Sequence, residues 1–296
     1  MQLPGDNKMS LNVMITYAAK ARTLVLLLAL LFSVMFASAQ SIKVMTYNIR
    51  LDTPADSVNQ WPKRTNKVFD LIRKYDPDIL GVQEAIHHQL LDLLKNLPQY
   101  DYVGVGRDDG KTKGEFSAIL YKKERFSLLK QGTFWLSETP NVPGSKSWDA
   151  AITRVASWAK LKDKKTNKEF LSINTHFDHI GNEARRHSAN LLKQKANELA
   201  KDLPVIITGD FNCTRSEPPY VTIMNPESIR LHDPVHGEPV GTFCGFKVNG
   251  FECRAIDYIF YTDHWTASDY KVITDNDGTY YPSDHLPVMT TFSMKK

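Results

Sequence analysis

The stretch VIITGDFN, residues 205–212, constrains the fold more than any other part of this sequence. Its first three residues, 205–207, are β-branched and apolar without alternation, which is typical of a strand inside a sheet covered on both faces. The run then ends in a glycine, a carboxylate and a carboxamide. Because a buried strand with a polar tip must open onto a turn or a cleft, Asp210 and Asn212 are the first candidates for a functional site.

Strand and helix patterns alternate along the rest of the chain, without an internal repeat or a low-complexity linker. Alternating or continuous apolar runs predict strands at 42–48, 78–84, 101–106, 116–121, 154–161, 169–176, 255–261 and 286–292. Apolar residues at helical spacing predict helices at 68–75, 87–97 and 183–201. Neighbouring hairpins are mixed with crossover helices, so we predict one domain of the α/β class, or α+β by some schemes, with mixed sheets.

The first 39 residues have the order of a secretory signal. Lys20 and Arg22 precede an apolar run at 24–36, and the small residues Ala-Ser-Ala follow at 37–39. The run is too short to span a bilayer comfortably as a permanent helix, and the alternative is an uncleaved membrane anchor. We therefore predict a signal peptide at 1–39, a domain at 40–296, export to the periplasm or the extracellular space, and no stable membrane association after cleavage.

Charge and cysteine content set further bounds. A formal net charge of +4 is smaller than the surplus expected of a protein that grips long polynucleotides through many phosphates, whereas small anionic substrates remain open. The chain has three cysteines, so at least one thiol stays free or pairs between chains. Cys244 and Cys253 flank the turn signal Asn249-Gly250 and could bridge, but a two-residue turn would place them diagonally, so the sequence leaves this disulfide open.

Polar residues gather at the ends of several predicted strands. Side chains two positions apart share a face, so Asn174, His176 and Asp178 lie on one side, as do Asp210 and Asn212. Further polar residues at strand ends, or just before the last strand, are Asn48, Glu84, Asp257, Asp284 and His285. Asp and Asn also favour turns and caps for structural reasons. The repetition of the same chemistry at four strand ends argues for a shared site.

The proportion of oxygen ligands in this set indicates a metal. Carboxylates and carboxamides with a few imidazoles suit Mg²⁺ or Mn²⁺, which would keep water positions open for a phosphate. Zinc is the less favoured ion, because the pair His176 and His179 lies at a strand end and lacks partner ligands at zinc-site spacing.

Six of these motifs, in this order, resemble the endonuclease/exonuclease/phosphatase superfamily. They are TYNIR, GVQE, NTHFD, GDFN, IDYIF and SDH, and the resemblance covers nearly all of residues 42–293. GTFWLSETP and the surroundings of NTHFDH are most similar to the bacterial branch grouped with the carbon catabolite repressor and nocturnin deadenylases. The resemblance implies a four-layer α-β-β-α sandwich with two mixed β-sheets and a metal site at one open edge.

The resemblance also implies roles for the polar strand ends. The metal residues would be Asn48, Glu84 and Asp284, with Asn48 helping Glu84 to hold the ion. The catalytic residues would be His176, Asp210, Asn212, Asp257 and His285. His285, kept basic by Asp257, would take a proton from the attacking water, which Asp210 and Asn212 would position. His176 would donate a hydrogen bond to the phosphoryl oxygen.

Four further residues are candidates for substrate binding: Glu115, Trp148, Arg154 and Asp178. The structural alternative for Arg154 is a solvated residue at a strand edge, and that for Trp148 is a place in the core. Apurinic-site endonucleases of this superfamily place a tyrosine where this chain has Glu115 and Phe116, which disfavours repair of abasic DNA.

Together these features predict an exported, Mg²⁺-dependent phosphoesterase in which water attacks phosphorus directly. It would be a monomer, and its substrate would be a phosphodiester or a phosphomonoester, nucleic acid included, with a 3'-5' exonuclease-like nuclease as one form. A sugar-phosphate or dinucleotide phosphatase and a phospholipid head-group phosphodiesterase are alternatives. A secreted binding protein on the same fold is the alternative without catalysis.

Overall fold

A computed structural model describes Lys20 and residues 41–295 of the chain. The strands in this part are β1 Ser41–Asn48, β2 Ile79–Ala85, β3 Tyr100–Val103, β4 Phe116–Lys122, β5 Phe126–Trp135, β6 Val155–Asp163, β7 Lys168–His176, β8 Val205–Asp210, β9 Asp257–Tyr261, β10 Trp265–Val272 and β11 Val288–Met294. The helices are α1 Trp61–Tyr75, α2 His87–Asn96, α3 Asn182–Ala200 and α4 Pro218–Met224, and Pro54–Asn59 is a 3-10 helix.

The strands form two mixed sheets. The six-stranded sheet has the order β10-β11-β1-β2-β4-β3, and the five-stranded sheet has the order β5-β6-β7-β8-β9. The pairs β1–β2 and β7–β8 are parallel, whereas β2–β4, β6–β7 and β8–β9 are antiparallel. Each sheet therefore has a parallel pair near its centre, and the strands of that pair end at the same edge.

Three hydrophobic clusters separate four layers. In β8, Val205 and Ile207 pack in the cluster that includes α3, while Ile206 lies in the cluster between the sheets. In β1, Tyr47 packs in the cluster that includes α1, and Val44 faces the other sheet. The apolar run at 205–207 is therefore covered on both faces, and the predicted α-β-β-α sandwich with two mixed sheets is confirmed.

A buried asparagine joins the two sheets across their apolar interface. Asn174 of β7 donates to the carbonyl oxygens of Val82 at 2.8 Å and Ala118 at 2.9 Å in the six-stranded sheet. Its own oxygen accepts from Gln83 Nε2 at 2.7 Å and from Thr208 Oγ1 at 2.9 Å. This contact uses the full hydrogen-bonding capacity of a buried amide side chain. It fixes the position of one sheet relative to the other near the strand ends that carry the site.

Two strands and a short helix have no counterpart among the predictions: β5, β10 and α4. Both strands lie at sheet edges, where one side of the strand is solvated, and β10 alternates mostly exposed residues. Such strands lack the apolar pattern that identifies central strands. The strand predicted at 101–106 ends early, at Val103, because Gly104 follows with φ 142°.

Residues from Ile42 onward form one compact unit. The predicted signal peptide at 1–39 lies outside the described residues apart from Lys20, and its boundary stays a prediction. Within the described part, no helix combines the length and hydrophobicity needed to cross a bilayer.

Cys244 and Cys253 form a disulfide, and Cys213 is a buried free thiol. The bond, which the sequence left open, closes a loop with Cα atoms 4.3 Å apart rather than a regular hairpin. It sits beside the cleft described next.

Candidate active site

The polar strand ends meet at one edge of the sandwich. In the β-ladders, His176 pairs with Asp210, and Asp210 also pairs with Asp257. Asn48 ends the parallel strand β1 in the facing sheet, one pairing step from Glu84 in β2. A cleft of about 360 Å³ opens at this edge. The predicted site residues that line it are Glu84, Glu115, Arg154, His176, Asp210, Asn212, Asp284 and His285.

Asp257 and His285 form a buried hydrogen-bonded pair. His285 Nδ1 lies 2.9 Å from Asp257 Oδ2, so its Nε2 is left facing Asp210 Oδ2 at 3.7 Å. The same Asp257 oxygen accepts the hydroxyl of Thr242 at 2.6 Å. The imidazole is thus oriented by a carboxylate that is itself held from a second side, an arrangement suited to a general base.

Asn48 connects the two sheets at the floor of the cleft. Its amide nitrogen lies 2.9 Å from Glu84 Oε1 and 3.0 Å from Asp210 Oδ2, and its oxygen accepts the backbone N–H of Arg50 at 3.0 Å. The amide oxygen accepts this one N–H group and keeps a second lone pair for a cation. The contacts of the amide nitrogen give Asn48 an orienting role, because they hold Glu84 and Asp210.

Three residues at the site have a backbone conformation with positive φ. Arg50, Glu84 and Asn212 have φ of 57°, 62° and 47°, a region that side chains other than glycine rarely adopt. Glu84 lies where the β2–β4 register shifts between Val82 and Ala85, and such bulges redirect side chains. Strain of this kind is retained when the surrounding structure enforces it and is common at functional sites.

Burial and neighbouring charges shift the pKa values of the carboxylates and imidazoles in the cleft. Burial, reinforced by the charge of Asp257, raises the pKa of Asp210 to about 7. Burial alone would lower the pKa of His285, but the charges of Asp257 and Asp210 outweigh it and raise that pKa well above its usual value. Burial, together with the charges of Arg154 and His285, lowers the pKa of His176 well below its usual value.

The tautomer of His176 follows from its neighbour Asn212. Asn212 Nδ2 donates to the carbonyl oxygen of Phe177 at 3.0 Å and lies 3.1 Å from His176 Nε2. A neutral ring next to an amide N–H accepts at that nitrogen, so its proton is on Nδ1. In this arrangement Asn212 presents the donor, and the predicted donation from His176 to a phosphoryl oxygen would have to come from Nδ1, which faces Glu115 at 4.0 Å.

Glu84 and Asp284 form an acidic wall that suits a hard cation. Burial would raise the pKa of Glu84, but His285, Asn48 and Arg50 lower it overall. Burial raises the pKa of Asp284, and the charge of Glu84 adds to that effect. Arg50 faces both, with Nη1 3.5 Å from Glu84 and Nε 3.9 Å from Asp284, yet it is anchored to Asp56. A divalent ion with oxygen ligands fits this donor set.

A second group could also hold an ion. Asp210, Asp257 and His285 each offer a ligand atom, and these atoms lie within 4.8 Å of one another. The Asp257 oxygen nearest to His285 is already shared by the imidazole and Thr242. Its other oxygen, Oδ1, is buried and has no hydrogen-bond partner among the described residues. Binding here would compete with the hydrogen bond that orients His285.

Two predicted substrate-binding residues are not among the residues that line the cleft. The oxygens of Asp178 accept four backbone N–H groups, from Ala151, Ile152, Ile180 and Gly181. Asp178 thereby organises the loop after β7. It lies beyond the end of that strand, so strand alternation no longer sets its direction. Trp148 stacks on His187, with ring centroids 4.7 Å apart, and lines a separate surface depression.

Four residues that sequence reasoning did not select belong to the site. Arg50, Phe243 and Arg254 line the cleft, and Thr242 anchors Asp257. The Phe243 ring lies 4.9 Å from the ring of His285. Arg50 belongs to the motif TYNIR, and its positive charge within a set of mostly acidic motifs could have identified it as a site residue. Thr242, Phe243 and Arg254 lie at or near the disulfide loop, which had no regular pattern to place it.

A family profile described as the endonuclease/exonuclease/phosphatase family matches residues 45–285. The chain belongs to this family. Its members are phosphoesterases and nucleases that generally use divalent metal ions, which supports a hydrolase function here. The matched segment contains every predicted catalytic and metal residue.

Related proteins support the family assignment. The solved mannosyl-6-phosphatase of Bacteroides thetaiotaomicron is 41% identical, with a TM-score of 0.80, and the alignment covers 86% of this chain and 100% of that one. An uncharacterised protein of Acanthamoeba polyphaga mimivirus is 28% identical over 84% of this chain and 99% of its own length. The human nocturnin catalytic domain with bound sulfate has a TM-score of 0.70 at 24% identity, covering 86% and 95% of the two chains, which shows the shared fold. Nocturnin of Drosophila melanogaster is 24% identical over 79% of this chain, which spans 42% of that protein.

Proposed function

We propose that this protein is a divalent-metal-dependent phosphoesterase in which a water molecule attacks phosphorus directly. The observation that carries the proposal is the buried Asp257–His285 pair, in which the second ring nitrogen, His285 Nε2, lies 3.7 Å from Asp210 Oδ2 and 3.4 Å from Asn48 Nδ2 in a cleft with an acidic wall. Carboxylate, imidazole and cation site thus meet at one point that a small phosphate ester can enter.

Glu84 and Asp284 would hold the ion, Mg²⁺ or Mn²⁺. This choice leaves the Asp257–His285 hydrogen bond intact, whereas an ion among Asp210, Asp257 and His285 would disrupt it. A bound ion supplies neutralisation of phosphate charge and stabilisation of the leaving oxygen.

The remaining steps belong to the side chains. His285 Nε2 removes a proton from the attacking water, and Asp257 stabilises the imidazolium that forms. Asp210 and Asn212 position that water, and Asn48 keeps Glu84 and Asp210 in place through its amide nitrogen. The two N–H groups of the Asn212 amide contact Phe177 and His176, which leaves its oxygen to accept a hydrogen bond from the water.

A small phosphate ester, with sugar phosphates as the favoured class, is the proposed substrate. A cleft of about 360 Å³ is at the lower end of the range for small-molecule sites. The relative that is 41% identical over nearly all of its length is a mannosyl-6-phosphatase.

A nuclease, 3'-5' exonuclease-like in form, is the second candidate. Phe243 beside His285 could stack a terminal base, and the half-exposed Arg254 could bind the next phosphate. The similarity to nocturnins supports it at lower identity.

We also propose that the protein is exported and acts as a monomer. The signal-like order of residues 1–39 supports export, and so does the Cys244–Cys253 disulfide, because disulfides persist in oxidising compartments.

The test is hydrolysis of mannose 6-phosphate, an aryl phosphate and a short oligonucleotide with Mg²⁺, with and without a chelator. Wild-type turnover should depend on the ion and should be lost in His285→Ala and Asp210→Ala. Unchanged turnover in both variants would overturn the mechanism. Metal binding without hydrolysis of any ester would favour a binding protein on the same fold.

A further inference from the structure

Basic residues gather at one part of the cleft, where Arg154 is buried and His179 is exposed. This part consists of Arg107, Glu115, Arg154 and His179, which we call the basic end. Glu115 Oε2 lies 2.6 Å from Arg107 Nη1 and 3.8 Å from Arg154 Nη1. His176, whose Nε2 lies 3.4 Å from Asp210, separates this end from the catalytic carboxylate.

Arg154 is buried beside two carboxylates but makes no hydrogen bond to either. Its side chain is 5% exposed, and among the described residues its hydrogen bond is to His179 Nδ1, at 3.2 Å from Nη2. Glu115 at 3.8 Å and Asp178 at 4.0 Å lie at ion-pair distance but beyond hydrogen-bonding distance, and within the described part of the chain Arg154 Nε has no hydrogen-bond partner. A guanidinium carries five N–H groups, and leaving them unpaired in a buried place is costly.

Both neighbouring carboxylates make their closest contacts with other groups. Glu115 is held by Arg107, and Asp178 is held by four backbone N–H groups. The charges of Glu115 and Arg107 offset each other, so the guanidinium of Arg154 remains the cation of this wall that can accept an external anion. Its place in the cleft lining puts that anion inside the proposed active site.

We infer that Arg154 binds a non-bridging phosphate oxygen and makes the site selective for dianionic phosphomonoesters over phosphodiesters. The inference rests on the proposed function. A terminal phosphate has three non-bridging oxygens and two negative charges, whereas a diester has two such oxygens and one charge. An ion held by the acidic wall would neutralise part of the phosphate charge, and Arg154 at the basic end would contact the oxygen that a monoester has in addition to those of a diester. The fork geometry of arginine suits this contact.

The alternative is that Arg154 only braces Glu115 and the loop held by Asp178. A brace would lower stability when removed, and it would lower turnover of monoester and diester substrates by the same factor. Selectivity between the two ester classes therefore separates a binding role from a structural one.

The experiment compares 4-nitrophenyl phosphate with bis(4-nitrophenyl) phosphate, which share a leaving group, under Mg²⁺ at neutral pH. We expect Arg154→Gln to lower kcat/KM for the monoester about 10- to 100-fold, the effect of one charge-assisted contact, with less than about threefold change for the diester. His179→Ala, at an exposed position that does not threaten folding, should lower the monoester value about 3- to 10-fold in the same direction. Arg186→Gln, an exposed arginine paired with Glu183, is the matched control and should change neither.

Binding of inorganic phosphate, measured by calorimetry in the presence of Mg²⁺, gives an independent readout. It should weaken in Arg154→Gln and His179→Ala and stay unchanged in Arg186→Gln. Equal losses on both esters, or unaltered phosphate binding in both variants, would refute the inference. If Arg154→Gln does not fold, ester selectivity and phosphate binding of Arg154→Lys and His179→Ala test the inference instead. If the wild-type protein hydrolyses neither ester, the proposed function fails, and phosphate binding still decides whether Arg154 is an anion site.

Discussion

Asp210 and His285 show how one charged neighbour raises the pKa of two different groups. Both are almost fully buried, and the pKa of Asp210 rises to about 7 while the pKa of His285 rises well above its usual value. For Asp210 burial is the largest cause and the charge of Asp257 adds to it, whereas for His285 the charges of Asp257 and Asp210 outweigh burial. A proton can therefore be shared within this cluster near neutral pH.

Asp257→Asn should lower kcat by at least about 100-fold, because the imidazole of His285 loses the carboxylate that orients it and stabilises its charge. Steady-state kinetics on an aryl phosphate measures this. Asp202→Asn, at an exposed turn, is the matched control and should retain full activity. A kcat for Asp257→Asn within threefold of the wild-type value would contradict the proposed role of the pair.

The raised pKa of Asp210 makes stability depend on pH in the metal-free protein. The folded pKa, about 7, is above the ordinary value of 3.8, so the folded state binds the proton more tightly than the unfolded state. This contribution is complete below the ordinary value and is lost as pH rises toward 7. At pH of about 8, Asp210→Asn should therefore be more stable than the wild type by about 1–3 kcal/mol, with the difference shrinking toward pH of about 4.

Urea unfolding with a chelator at both pH values measures that difference. The same difference at both pH values would show that Asp210 is not the titrating group. Added Mg²⁺ should stabilise the wild type more at the higher pH, where the carboxylates are ionised.

At the scale of secondary structure, the strand ends carry the site residues. Two local features, the Asn174 contacts and the disulfide loop, hold these elements in position. Asn174 connects β7 to β2 and β4, and the disulfide loop carries Thr242 and Phe243 to His285. Neither feature contacts the proposed position of the phosphate. Both should nevertheless affect the site, because each fixes the relative position of elements that contribute catalytic side chains.

Asn174→Ala should destabilise the protein by about 2–4 kcal/mol, since it leaves several buried polar groups without partners. Asn190→Ala, on the exposed face of α3, is the matched control, with an expected change of less than about 0.5 kcal/mol. Chemical denaturation followed by circular dichroism measures both. Equal stability of the two variants would mean that the buried amide contributes nothing to joining the sheets.

Breaking the disulfide should lower both stability and turnover. The double variant Cys244→Ser and Cys253→Ser should lose about 2–3 kcal/mol of unfolding free energy, and activity should fall because Thr242 and Phe243 lose their fixed positions. A reducing agent should reproduce this in the wild type and have no further effect on the double variant. Full activity of the double variant would show that the loop holds its shape without the bond.

Sequence reasoning found the central strands and the residues at their tips, because alternation and buried runs are local signals. The apolar run before Asp210 and the motif around His285 are examples. It did not foresee the bulge that redirects Glu84, since a register shift depends on the partner strand β4. Thr242 was missed for the same reason: its hydroxyl meets Asp257 through a loop without periodicity. Strand alternation does not set the direction of the Asp178 side chain, because this residue lies beyond the end of β7.

For the molecule as a whole, the cleft combines an acidic wall, the pair to which we assign proton transfer and a basic end. Glu84 and Asp284 supply the first, Asp257 and His285 the second, and Arg154 is the central cation of the third. This order along one cleft matches the charge distribution of a phosphate ester bound next to a cation. Function therefore depends on segments from residue 48 to residue 285, which the fold brings to one edge.

Removal of divalent ions should abolish turnover, and Mg²⁺ or Mn²⁺ should raise Tm by several degrees. Glu84→Gln and Asp284→Asn should remove the Mg²⁺-dependent rise in Tm, whereas His285→Ala should keep it while losing activity. Differential scanning fluorimetry and an aryl phosphate assay measure both quantities. If His285→Ala abolishes the Tm rise and Glu84→Gln keeps it, the ion binds among Asp210, Asp257 and His285 instead.

Glu84 and Asp210 belong to different sheets, with the apolar layer around Ile206 between those sheets. The spacing between the reacting groups is therefore set by the thickness of that layer. A bulkier side chain deep in the layer would spread the two halves of the cleft without altering any residue that a substrate touches. Turnover of this protein should thus be sensitive to interior volume changes at a distance, in proportion to how far they separate the sheets.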